Sequence, residues 1–102
     1  GSGPAYFFLL TEVLREAGEK LGLERDTAAR LALQTFAGSA AMAAGAGRDV
    51  VELRSQVTSK GGTTEAAVQS LETAGLRRLF DDALVAAARR SAELGDLLDA
   101  EG

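Results

Sequence analysis

Apolar positions along this chain recur mostly at helical spacing. The set Phe7, Leu10, Leu14, Ala17 and Leu21 marks one face of a first helix. Tyr6, Phe8, Leu9 and Val13 add a second apolar face to the same segment. A helix apolar on two faces is buried on two sides. The pattern fits a central core helix or a helix shared with a second copy of the chain, about equally well. Pro4 suits the start of this helix, with Gly3 or Ser2 as cap. Gly22 is placed to end it as a left-handed C′ residue, with Leu23 covering the end.

A second helix is predicted from near Asp26 to about Ala44, with Ala28, Leu31, Ala32, Thr35 and Phe36 on its inner face. Its later half is a run of small residues from Gly38 to Gly45, interrupted by Met42. Small side chains let another helix approach closely, within or between chains. Gly45, Gly47 and Arg48 mark a turn. Asp49 and Glu52 resemble a capping box opening a short helix, Val50 to Gln56. A fourth helix is predicted over Thr64–Thr73, with Ala67, Leu71 and Ala74 on one face, ended by Gly75. A fifth runs from Leu76 to Leu94, its stripe being Leu76, Phe80, Ala83, Leu84, Ala87 and Ser91. Arg77–Asp81, Arg78–Asp82 and Arg89–Glu93 are candidate i,i+4 pairs on it. Residues 95–102 are expected to form a frayed tail. No segment alternates like a strand, so the fold class is all-α with about five helices.

Composition narrows the chemistry. At 102 residues the chain suits one small domain, and a partner chain is well placed to supply much of its stability. There is no cysteine and no histidine, which removes thiolate and Ser-His-Asp chemistry and the usual zinc ligands. No carboxylate cluster has metal-ligand spacing, so no metal site is expected. A net charge of −4 argues against phosphate-driven nucleic-acid binding. No apolar run approaches membrane-span length and no signal peptide opens the chain, which fits a cytoplasmic location. Gly45-Ala46-Gly47 is a lone G-x-G at a helix end, not a dinucleotide fingerprint.

The segment Val57-Thr58-Ser59-Lys60-Gly61-Gly62-Thr63-Thr64 is where ligand chemistry concentrates. Two glycines allow a tight turn and close backbone approach. The helix behind them offers unpaired N–H groups and a favourable dipole for a small anion such as a carboxylate. A plain turn with a threonine N-cap has the same composition.

Taken in order, Gly1-Ser2-Gly3-Pro4-Ala5-Tyr6, Gln34-Thr35 with Gly38-Ser39-Ala40, the 57–64 segment, Leu71-Glu72, Gly75-Leu76-Arg77 and Arg90-Ser91-Ala92-Glu93-Leu94 resemble the C-terminal domain of pyrroline-5-carboxylate reductase. The resemblance covers residues 1–94. It implies a fold like the C-terminal domain of 6-phosphogluconate dehydrogenase, interlocked as a homodimer and open to higher assembly. It also implies a parent enzyme whose N-terminal Rossmann domain, absent from this chain, binds NADPH or NADH. The isolated domain is expected to be inactive alone.

Residue by residue, the resemblance places the substrate carboxylate on backbone N–H groups around Ser59, Gly62 and Thr63, with the Ser59 hydroxyl assisting. Thr64 matches a catalytic threonine that reaches the imine nitrogen, and Val57 an apolar wall. Lys60 stands where the family most often has proline, which puts the rigidity of the loop in question. Glu65 adds a carboxylate that competes with a bound anion if it folds inward. Two other functions stay open at this point: a helical dimerisation module without catalysis, and a paralogous imine reductase acting on another substrate.

Overall fold

The computed structural model describes residues 2–101, with side chains described for residues 2–99. Every regular element among them is an α-helix: α1 (Gly3–Lys20), α2 (Arg25–Gly45), α3 (Val50–Gln56), α4 (Thr63–Thr73) and α5 (Leu76–Glu101). Packing divides the chain into two units, Gly1–Arg54 and Ser55–Gly102.

In the first unit α1 packs on α2 as an antiparallel pair. At one end Phe7 stacks on Phe36, ring centroids 5.7 Å apart. At the other end a Cβ on Gly18 would stand 3.4 Å from the Ala28 methyl and 3.3 Å from Leu23. Small residues are therefore what let these helices touch. Ala28 and Ala32 are the buried residues, 3% and 7% exposed. The α1–α2 corner closes as the sequence predicts. Gly22 is left-handed at φ +107°. The Leu23 N–H bonds the Gly18 carbonyl and the Gly22 N–H bonds that of Glu19, both at 3.0 Å, which together make a Schellman motif. Helix α2 is capped by Glu24, whose carboxylate accepts from the Asp26 N–H at 3.3 Å.

The apolar faces predicted for α1 are present but uncovered. Phe7, Phe8, Leu9, Leu10, Val13 and Leu14 are all exposed, Phe8 at 65%. Burying such a side chain is worth about 1.5–3 kcal/mol. One α2 helix is too narrow to cover both faces.

The second unit holds α4 and the body of α5, joined at Gly75 (φ +91°). Val68, Leu76, Phe80 and Ala87 are half-buried, while Ala67, Leu71, Ala74, Ala83, Leu84 and Ser91 of the expected stripes stay exposed. Two predictions need correction. Arg77 turns back across the corner to Glu72, making bonds of 2.8, 3.0 and 2.8 Å, instead of pairing with Asp81. Arg90, and not Arg89, reaches Glu93 at 2.9 Å. Arg77 meets the Glu72 carboxylate with two nitrogens of its fork, whereas Arg90 makes one bond. The Glu72 pair, through its hydrogen bond and its charge, raises the Arg77 pKa above its ordinary value.

The expected end of the fifth helix at Leu94 is also corrected, which carries helix into the segment expected as a tail. Helix α5 continues past Leu94 and Gly95 to Glu101. A single glycine costs about 1 kcal/mol inside a helix, and no proline follows to stop propagation. Gly1, at the head of the opening motif, and Gly102, the last residue of that tail, lie outside the described residues.

Candidate anion seat at the start of helix α4

Helix α3 ends at Gln56 and leaves Val57 58% exposed. The Thr58 N–H still bonds back to the Ser55 carbonyl at 3.2 Å. The chain then reverses in four residues. The Gly62 N–H donates to the Ser59 carbonyl at 3.0 Å, closing a β-turn with Lys60 and Gly61 at its corners. Gly61 is left-handed, φ +75°. Gly62 is extended, φ −87° and ψ 177°, and is the N-cap of α4. A Cβ on Gly62 would stand 3.2 Å from the Ser59 oxygen, so the second glycine is favoured by space and the first by φ.

The cap is therefore Gly62 and not a threonine. Thr63 and Thr64 occupy the first two helical positions, where an α-helix makes no internal bond from N–H. A glycine cap supplies no side-chain acceptor, and none is made. The Ala66 N–H bonds the Gly62 carbonyl at 3.2 Å and starts the helical ladder. The result is a helix start with free first amides and three hydroxyl residues, Ser59, Thr63 and Thr64, all of them exposed. Such an end attracts a small anion.

Of the site residues expected from sequence, Ser59, Gly62, Thr63 and Thr64 come together on this turn. Val57 lies just before it. One role changes. The Gly62 N–H is already engaged by Ser59, so Gly62 contributes bare backbone and the open donors begin at Thr63. Glu65 does fold back, as its charge and position warned. Its Oε1 accepts from the Gly61 N–H at 3.0 Å. Sequence reasoning gave Gly61 its place in the tight turn but did not foresee its N–H as the donor to Glu65.

No group of three or more His, Cys, Asp or Glu side chains gathers among the described residues. None of their helices is long and apolar enough to cross a membrane.

Residues 1–94 match the family described as pyrroline-5-carboxylate reductase dimerisation. The chain belongs to this family. It is 55% identical over 98 residues to a pyrroline-5-carboxylate reductase of Pseudomonas aeruginosa, covering 96% of this chain and 36% of that protein. The pea (Pisum sativum) reductase is 50% identical over 94 residues, covering 92% and 34%. Among solved structures, a Coxiella burnetii pyrroline-5-carboxylate reductase superimposes with a TM-score of 0.88 at 54% identity, over 92% of this chain and 35% of that one. The Plasmodium falciparum pyrroline carboxylate reductase with NADP bound gives 0.85 at 37% identity, over 89% and 35%. The chain thus spans about a third of the length of these relatives. The five-helix, all-α reading agrees with these folds, which share the architecture of the family's dimerisation domain.

Proposed function

We propose that this chain is the dimerisation and substrate domain of an enzyme that reduces 1-pyrroline-5-carboxylate to L-proline. The observation that carries the reading is the start of α4: open helix amides at Thr63 and Thr64 beside the Ser59 hydroxyl, in a chain of this family. The substrate carboxylate sits on those amides, where fixed N–H dipoles replace its water. The Thr64 hydroxyl orients the ring nitrogen, and Val57 walls the apolar ring.

No strand occurs among the described residues, so a βαβ dinucleotide cradle has to come from outside this chain. NADPH or NADH, held there, supplies the hydride for the C=N carbon. The nitrogen takes its proton from water, because a threonine hydroxyl is a poor acid. Holding the imine in one pose is the contribution of this chain.

The same reading makes the chain a homodimer. Its support is α1, an 18-residue helix with no buried residue and six large apolar side chains in water. The decisive experiment follows NADPH oxidation by the full-length enzyme with pyrroline-5-carboxylate, beside its Thr64→Ala variant. A folded parent without activity would leave a paralogous imine reductase or a non-catalytic dimer module as the better reading.

A further inference from the structure

We propose that Glu65 is a positioning residue for the substrate carboxylate, acting through Gly61 to lock the Ser59–Gly62 turn in one form. The inference rests on the carboxylate seat proposed above. No non-glycine residue among those described has positive φ, so φ is negative at Lys60 and +75° at Gly61. These are the signs of a type II turn. Types I and II differ by rotation of the central peptide, here the one joining Lys60 to Gly61. The second position, Lys60, has the same φ in both types and so does not choose between them. Glycine at the third position accepts either form. The turn's own residues therefore leave its central peptide weakly specified.

Glu65 supplies what is missing. In a capping box the residue three past the cap bonds the N–H of the cap itself. That N–H, on Gly62, is taken by Ser59. The Glu65 carboxylate reaches one residue further and accepts from Gly61 at 3.0 Å, which is the N–H of the central peptide. The bond is charge-assisted and spans from the first turn of α4 to the corner of the loop. It ties Ser59 to the helix start, so hydroxyl and amides keep one spacing.

The test uses the full-length enzyme with Glu65→Ala and Glu65→Gln. Loss of one such bond corresponds to about a tenfold effect. Glu65→Ala is expected to raise KM for pyrroline-5-carboxylate about tenfold, with kcat within about twofold. Glu65→Gln keeps the acceptor and is expected to restore KM. Amide hydrogen exchange over residues 58–62 reads the turn independently of activity: faster in Glu65→Ala, slow in Glu65→Gln. Unchanged exchange in Glu65→Ala overturns the lock. Faster exchange with unchanged KM overturns its part in substrate positioning. A lower KM shows instead that Glu65 repels the anion. An active parent with unaffected variants counts against Glu65 alone, whereas an inactive parent removes the carboxylate seat and the positioning role with it.

Discussion

The α1–α2 pair and the start of α4 are both unfinished, in opposite senses. The pair has surplus apolar surface: Phe7, Phe8, Leu9, Leu10, Val13 and Leu14 remain in water while two alanines make the buried core. The helix start has surplus polar capacity: amides at Thr63 and Thr64 under a glycine cap that offers no acceptor. Apolar surplus is non-directional and calls for area, which in the proposed homodimer a second copy of the chain supplies. Polar surplus is directional and calls for one small acceptor in one place. A domain can thus separate assembly from ligand binding without any unusual residue type.

Substitutions can break either side of this contrast. The largest effect is expected at the apolar face. Phe8 is 65% exposed in the single chain, so Phe8→Asp leaves the α1–α2 core intact and places a charge in the proposed dimer face. Burying an unpaired charge costs several kcal/mol, so the dimer is expected to weaken at least about 100-fold, read by light scattering across a dilution series. A dimer that survives would move the interface elsewhere.

Thr64→Ala comes next. It removes one orienting hydroxyl and is expected to lower kcat/KM of the full-length enzyme by roughly tenfold with the oligomer unchanged. An equal loss of assembly would erase the separation drawn above. Gly62→Ala tests the backbone of the seat. Its Cβ would stand 3.2 Å from the Ser59 oxygen. The Ser59 carbonyl must give by a few tenths of an ångström, and about 1 kcal/mol of stability is expected to be lost, measured as a fall in Tm together with weaker substrate binding.

The smallest effect is expected at Arg77. Its pair with Glu72 is exposed. Arg77→Ala is therefore expected to lower Tm only slightly, and the difference should vanish in high salt. The raised Arg77 pKa sets the pH dependence. A group whose folded pKa is raised contributes fully below its unfolded value and loses the contribution as pH rises through the folded one. The arginine side of the pair therefore holds through neutral pH and fails only in strong alkali. A thermal-melt series against pH checks this.

Much of this was legible in the residues. Gly22 and Gly75 stop helices because they reach positive φ cheaply, and both do so here. The span of α3, Val50–Gln56, follows from its flanking turn and box residues. The glycine-threonine segment announced a turn and a helix start by composition alone, and α4 begins there at Thr63. Local chemistry decides such features, and local chemistry is written in order along the chain. What failed to be legible depended on competition between partners. Arg77 had acidic neighbours on either side, and only the angle at Gly75 brought Glu72 within reach of its fork. The end of α5 had no stop signal beyond one glycine, and helix propagation overrode it.

By itself, then, the sequence determined helix content, the corners, the absence of thiol and imidazole chemistry, and the segment where a carboxylate is to be sought. The tertiary structure decided which N–H groups in that segment are open. Gly62 spends its own on Ser59 and Gly61 takes Glu65, leaving the seat to begin at Thr63. Hydrogen bonds are exclusive, so a donor that the sequence offers is settled only when the folded backbone brings its acceptor within about 3 Å.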